Sequence, residues 1–280
     1  MSTISSEKKR IFSFWEPKGN IPGYIRLCMK TWEKFLPDYK VALCDYETLK
    51  KYLSAEELSA VECRLLSLPQ QSDALRCALL YKYGGMWMDT DTIITPAFSN
   101  DYFCRGECSS IGNKETGFLN GAYFYVSKGG TPFVSEWYTH LLQHISEYRK
   151  FIKWRPFFHI FSRPRWRIVR QWDFFLNSII DRLAEKYQEP EFVFLERKEI
   201  RTLPELLYCP GSPMDDHPSY IRFWFSEENT QEKWDELERN KGIIMLHNSW
   251  TPEKYKQMSE EEFLSENVFL SVYLKSLLGL

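Results

Sequence analysis

An α/β fold is what this sequence predicts, on three observations. Near the amino end a strand signal, a helix and a second strand signal follow one another across short loops, the order of a parallel α/β unit. Residues 70–91 then read as helix, glycine stop and short apolar strand, ending in two carboxylates. Finally, 280 residues with 44% hydrophobic and 26% charged side chains are ordinary for a soluble globular chain and suffice for a substantial core.

Taken in order, Ile11–Trp15 is a short strand signal that runs into a loop punctuated by Gly and Pro, Glu16 to Gly23. A helix is expected from Tyr24 to Phe35 and a strand over Tyr39–Leu43. Ligands of such sheets sit beyond the carboxyl ends of the strands, which is where Trp15 falls; a core tryptophan is the competing account. Residues 45–66 read as helical, with Ser54 and Glu57 spaced as a capping box.

The central stretch comes next. Pro69 and Ser72 suit a helix entrance, and Leu75, Leu79 and Leu80 form an apolar stripe at helical spacing. Gly84 or Gly85 can end the helix in a left-handed conformation. Met86-Trp87-Met88 has the character of a buried strand. In extended chain, residues two apart point the same way, so Asp89 and Asp91 are expected to face one point. Two hard oxygen ligands there suit Mg²⁺ or Mn²⁺. With eleven aspartates in the chain, roughly 0.4 Asp-x-Asp pairs arise by chance, so the pair alone is a weak signal. Asp73 and Arg76, three apart on one helical face just upstream, strengthen it. They suit a polyol held by several hydrogen bonds, although as a plain surface ion pair they would be worth little.

Further on, Gly117–Val126 is a strand signal, with Asn120-Gly121 a possible hairpin turn, and a helix starts at Pro132. From Tyr148 to Trp172 the chain carries eight Arg or Lys and no acid, interleaved with Phe151, Trp154, Phe157, Phe158, Phe161 and Trp166. With no recognised nucleic-acid module elsewhere, this run suits an anionic membrane surface better than nucleic acid. Residues 173–187 read as an amphipathic helix, while Phe192–Phe194 and Ile221–Phe225 read as strands. The loop holding Asp215, Asp216 and His217 is a polar turn before it is a metal site. Gly242–His247 is a buried-strand signal ending in His247, followed by Asn248, Ser249 and Trp250, and Glu260–Leu280 is expected to be a helix on the surface.

Global properties set limits. A net charge of −2 points to no class of partner. No apolar run approaches a membrane span, and the polar first ten residues lack a signal-peptide pattern. Seven cysteines are an odd number without framework spacing, and the pair Cys104 and Cys108 lacks the partners of a zinc set. Reduced thiols in a cytoplasm are expected.

The run S-D-A-L-R followed by L-Y-K-Y-G-G-M-W-M-D-T-D resembles the DXD sugar-binding region of glycosyltransferases. It is most similar to family 32, which contains the yeast Golgi initiating mannosyltransferase and many bacterial capsule enzymes; the clostridial glucosylating toxins have a similar core. The resemblance spans residues 11–126, with a weaker match near 243–250. It implies a single GT-A-type nucleotide-diphospho-sugar transferase domain over 1–280, with a mixed, mainly parallel central sheet between helices, a basic and aromatic insertion near 148–172 and a helical tail over 252–280. The implied reaction is a retaining transfer of a hexosyl unit from a nucleotide sugar, a UDP-sugar foremost, to a glycan or lipid-linked acceptor in capsule, O-antigen or glycolipid synthesis. By the same resemblance Trp15 stacks on the base and Asp73 and Arg76 hold sugar hydroxyls. Asn120 faces the sugar or acceptor, Asp89 and Asp91 bind Mn²⁺ or Mg²⁺, His247 completes the metal shell, and Ser249 and Trp250 close over the diphosphate. The expected setting is a bacterial cytoplasm, peripheral at the inner face of the membrane. Two rivals stand beside this: a toxin-like enzyme that glycosylates protein, and a non-catalytic lipid- or sugar-binding module.

Overall fold

The computed structural model describes residues 9–61, 66–154, 175–203 and 217–280. Six strands form the main sheet: β1 (Lys9–Phe14), β2 (Tyr39–Cys44), β3 (Gly85–Met88), β5 (Cys108–Asn113), β6 (Phe118–Val126) and β7 (Phe192–Glu196), in the order β2-β1-β3-β6-β5-β7. The pairs β1–β2, β1–β3 and β5–β7 are parallel, and β3–β6 and β5–β6 are antiparallel. The sheet is thus mixed and mainly parallel, as expected. Two further strands, β4 (Thr92–Ile94) and β8 (Ile243–Met245), form a separate antiparallel ribbon.

Helices cover both faces. In chain order they are α1 (Gly23–Phe35), α2 (Tyr46–Leu49), α3 (Ala55–Val61), α4 (Leu68–Tyr83), α5 (Asn100–Phe103), α6 (Pro132–Trp154), α7 (Asn177–Lys186), α8 (Arg197–Ile200), α9 (His217–Phe225), α10 (Gln231–Glu238), α11 (Glu253–Lys256), α12 (Glu260–Ser265) and α13 (Phe269–Leu278). Successive strand residues point to opposite faces. Phe12, Trp87 and Phe124 therefore enter the core under α4, α6 and α7, while Ile11, Met86, Met88, Tyr123 and Tyr125 enter the one on the other side with Trp32 of α1.

The punctuation read from sequence mostly holds. Ser54 and Glu57 form the expected reciprocal box, Ser54 N–H to Glu57 Oε2 at 2.6 Å and Glu57 N–H to Ser54 Oγ at 3.2 Å. Gly84 ends α4 with φ of 65°, in the region open to glycine. The entrance of α4 lies earlier than expected. Ser67 is its cap, its N–H and hydroxyl both donating to Gln70 Oε1 at 3.2 and 3.0 Å, and Ser72 is inside the helix.

Two expectations are corrected. Ile221–Phe225 is not a strand but the second half of α9. Tyr220, Phe223 and Trp224 are all buried on one face, a helical spacing that a five-residue apolar run does not distinguish from a buried strand. The tail is not a surface helix: α12 and α13 are separate, and Phe263, Phe269, Leu270 and Leu274 are fully buried in the core that α1 shares with α9. Of the basic and aromatic run, residues 155–172 lie outside the described residues, as do Asp215 and Asp216. Among the described residues no helix is long and apolar enough to cross a membrane.

Candidate active site

A cleft of about 490 Å³ opens where β1 and β3 end at their carboxyl edge. Phe14, Trp15 and Glu16 line it from β1, Asp73 and Arg76 from α4, and Asp89, Thr90 and Asp91 from the turn after β3. Asn120, Gly121 and Ala122 line it from β6, and Leu176, Asn177 and Asn248 are also in the wall. Six of the nine residues named in advance, Trp15, Asp73, Arg76, Asp89, Asp91 and Asn120, are brought together here.

Arg76 organises the floor. Its guanidinium donates to Asp89 Oδ1 at 2.9 Å, lies 3.4 Å from Asp73 Oδ1, donates also to the Gly121 carbonyl, and sits over the Trp87 ring at 5.0 Å. A Cβ at position 121 would overlap Arg76 Nη1 and Leu176 Cδ2, so glycine there lets the guanidinium reach the strand. Trp87 Nε1 donates to the same Asp89 oxygen at 2.8 Å.

Asp89 and Asp91 converge, but not by the extended geometry expected. Residues 89–92 form a tight turn closed by Thr92 N–H to Asp89 O at 3.0 Å. The turn leads from β3 in the main sheet to β4 in the separate ribbon, and both carboxylates line the cleft. Helix α1 fixes the exit of that turn: Trp32 Nε1 donates to Thr92 O at 2.7 Å, and Ile94 N–H donates to Thr31 Oγ1 at 2.9 Å. Asn248 N–H donates to Asp91 Oδ2 at 2.9 Å, and the Asn248 side chain accepts from Tyr24 Oη. Burial pushes the Asp91 carboxyl up to about 6, and the charge of Asp89 adds to the rise. Among the described residues no other residue donates a hydrogen bond to Asp89 Oδ2 or Asp91 Oδ1. Two such oxygens on adjacent, mutually repelling carboxylates fit a divalent cation.

At the other end, Trp15 is half-buried and its N–H donates to Cys44 O at 2.9 Å. Glu16 beside it accepts from Tyr46 N–H at 3.0 Å. Asn120 lies within β6 instead of forming a hairpin turn; its Oδ1 accepts from Ala122 N–H at 3.0 Å and its Nδ2 approaches Met245 Sδ at 3.3 Å.

His247, Ser249 and Trp250 are not on the cleft wall. The Trp250 ring packs against His247, His217 and Tyr220 at centroid distances of 4.3, 5.1 and 5.5 Å, and Ser249 is exposed. Among the described residues no three His, Cys, Asp or Glu form a group able to hold a metal ion; His247 lies near enough for its charge to act on the Asp91 carboxyl. The residue of this loop that does reach the cleft is Asn248, which sequence reasoning passed over together with Glu16 and Asn177.

The sequence model of one protein family, capsular polysaccharide synthesis protein, matches residues 2–173. The chain belongs to that family. Trp15, Asp73, Arg76, Asp89, Asp91 and Asn120 of this capsule-synthesis chain lie inside the matched stretch, and Asn177 and Asn248 lie beyond it. Among solved structures, one titled PaToxG Glycosyltransferase is similar, with 14% identity over 64% of this chain and 68% of that chain and a TM-score of 0.40. No curated protein matches.

Proposed function

We propose that this capsule-family chain is a metal-dependent, retaining glycosyltransferase that moves a hexosyl unit from a nucleotide sugar, a UDP-sugar foremost, to a glycan or lipid-linked acceptor. The observation that supports this reading is the convergence of the Asp89 and Asp91 carboxylates beyond the carboxyl end of β3, each with an oxygen to which no other described residue donates, in a cleft that Trp15 lines at one end and Asp73 and Arg76 line farther in. Asp89 and Asp91 would hold Mn²⁺ or Mg²⁺ through those oxygens. A cation there would offset the charge of the departing diphosphate.

The chain's own groups account for the rest. Trp15 offers its face to the base. Asp73 and Arg76 fix the far side of the cleft, where Asp73 takes sugar hydroxyls and Arg76 holds Asp73 and Asp89 in register. Asn248, anchored by Tyr24, keeps the Asp91 carboxylate turned to the cleft, and the 247–250 turn it belongs to is the segment proposed to close over the diphosphate. No side chain is assigned as an enzymatic nucleophile; the leaving diphosphate can take the acceptor proton in a front-face transfer. Tyr148–Trp172 is proposed to rest on an anionic membrane at the cytoplasmic face and bring the cleft to its acceptor.

The test is hydrolysis of UDP-galactose, UDP-glucose, UDP-N-acetylglucosamine and GDP-mannose with and without Mn²⁺. One donor should be turned over only with metal, and Asp91→Ala, purified as a folded protein, should lose roughly a thousandfold in rate. Turnover that survives chelation, or an Asp91→Ala enzyme near wild-type rate, rejects the reading.

A further inference from the structure

Beyond the end of β3, strand β6 has no strand partner on that side among the described residues: β3 pairs only with Tyr123–Val126. Unpaired backbone groups at such an edge need partners. Helix α7 supplies them at Leu119. Asp181 Oδ1 accepts the Leu119 N–H at 3.0 Å, and Asn177 Nδ2 donates to the Leu119 carbonyl. This clamp holds the amino end of α7 against the cleft, where Leu176 and Asn177 form part of the wall.

Asn177 has a second polar atom. Its residue is 3% exposed, its amide nitrogen is spent on Leu119, and among the described residues its Oδ1 has no partner. Asn177 lines the cleft, so that oxygen is within reach of what enters it. Water satisfies such an acceptor in the free protein, and a ligand hydroxyl would replace it.

Sheet order says which part of a ligand that would be. Trp15 follows β1, the Asp pair follows β3, Asn120 is on β6, and β1, β3 and β6 are neighbours in that order. Helix α7 leans on β6, so Asn177 lies at the end of the row away from Trp15. We propose that Asn177 is a specificity-determining residue of the donor site, its Oδ1 accepting a hydrogen bond from a hydroxyl of the transferred hexose; this rests on the nucleotide-sugar reading above. A group fixed by the α7 clamp is well suited to tell hexoses apart, because a rigid acceptor is left unpaired by a sugar whose hydroxyl points elsewhere.

Asn177→Ala tests it, with Asp181→Ala as the control that weakens the same clamp away from the cleft. Calorimetry with UDP or GDP plus Mn²⁺ reads nucleotide binding, and hydrolysis of the four donors reads the sugar. Asn177→Ala should keep wild-type nucleotide affinity, lose about tenfold in kcat/KM for the best donor, and narrow the preference between UDP-glucose and UDP-galactose. Asp181→Ala should lower the melting temperature yet keep the wild-type order of donors. An unchanged donor preference and kcat/KM in Asn177→Ala, or the same altered preference in Asp181→Ala, overturns the assignment and leaves Asn177 as a clamp. If wild type binds neither nucleotide with Mn²⁺ and hydrolyses no donor, the donor-site reading itself fails and takes this assignment with it.

Discussion

Replacing Arg76 by Met keeps the apolar stem of the side chain and removes the charged guanidinium. The guanidinium is 4% exposed and touches two carboxylates of different exposure: Asp73, at 9%, and Asp89, at 36%. Deleting one member of a buried pair costs about 3–5 kcal/mol, because the other charge stays behind. Water screens Asp89, so its loss weighs little, whereas Asp73 is more enclosed and is screened less. The Gly121 carbonyl also loses a donor. A destabilisation of about 3 kcal/mol is expected, or a fall in melting temperature of roughly 6–12 °C for a chain of this size. Urea denaturation should show a lower midpoint with an unchanged slope. Asp73→Asn in the Arg76→Met background should restore part of the loss, since the carboxylate that has lost its guanidinium is then neutral. Arg76→Lys should fall between, a single ammonium being unable to serve Asp73, Asp89 and Gly121 together. A cost below about 1 kcal/mol for Arg76→Met, the value of an exposed ion pair, would refute the claim that this guanidinium holds the floor of the cleft.

Other outcomes can be checked alongside. The Asp91 carboxyl is raised from 3.8 to about 6 in the fold, so the folded state binds the extra proton between those values; metal-free stability should therefore decline as pH rises from about 4 to about 6, by on the order of 3 kcal/mol at most, and Asp91→Asn should flatten that slope in urea titrations at successive pH values. Trp15→Ala should weaken UDP binding with Mn²⁺ by about 1–3 kcal/mol in calorimetry, whereas Asp73→Ala should leave UDP affinity near wild type and depress transfer; equal losses in both would reject the division into base and sugar ends. Wild type should pellet with anionic vesicles more than with neutral ones, and replacing Arg163, Arg165, Arg167 and Arg170 together by Gln should weaken pelleting while donor hydrolysis persists; indifference to both vesicle types would remove the membrane assignment.

The first half of the chain was legible because its signals are local. Ile11–Trp15, Tyr24–Phe35 and Tyr39–Leu43 carry clear apolar patterns with Gly and Pro between them, and the observed elements differ by at most two residues at an end. The Asp73 and Arg76 pairing was also local, being three residues along one helix. What pattern reading did not reach was tertiary. That Arg76 turns to Asp89 depends on β3 passing beneath α4, and the Asp89–Asp91 turn depends on α1 anchoring Thr92 and Ile94. Ile221–Phe225 was misread because five apolar residues fit either period. Asn177 and Asn248 carry no periodic or charge signal; a polar residue beside a predicted element end, as Asn248 is after β8, was the one available hint.

The β4–β8 ribbon sets an order of events for a folding chain. It joins Thr92–Ile94 to Ile243–Met245, across about 150 residues, and it continues past its end with Leu246 N–H on Asp91 O at 3.1 Å. Five of the six main strands come from residues 9–126 and find their partners within that span. The ribbon must instead close a long loop before any of its contacts form, and that entropic cost grows with loop length. Asn248 thus reaches Asp91 after the sheet is in place, and the carboxylate pair takes its working posture in a late step. In a refolding experiment the burial of Trp87 and Trp137 should precede the recovery of Mn²⁺-dependent nucleotide binding, and the lag between the two measures the closing of the ribbon.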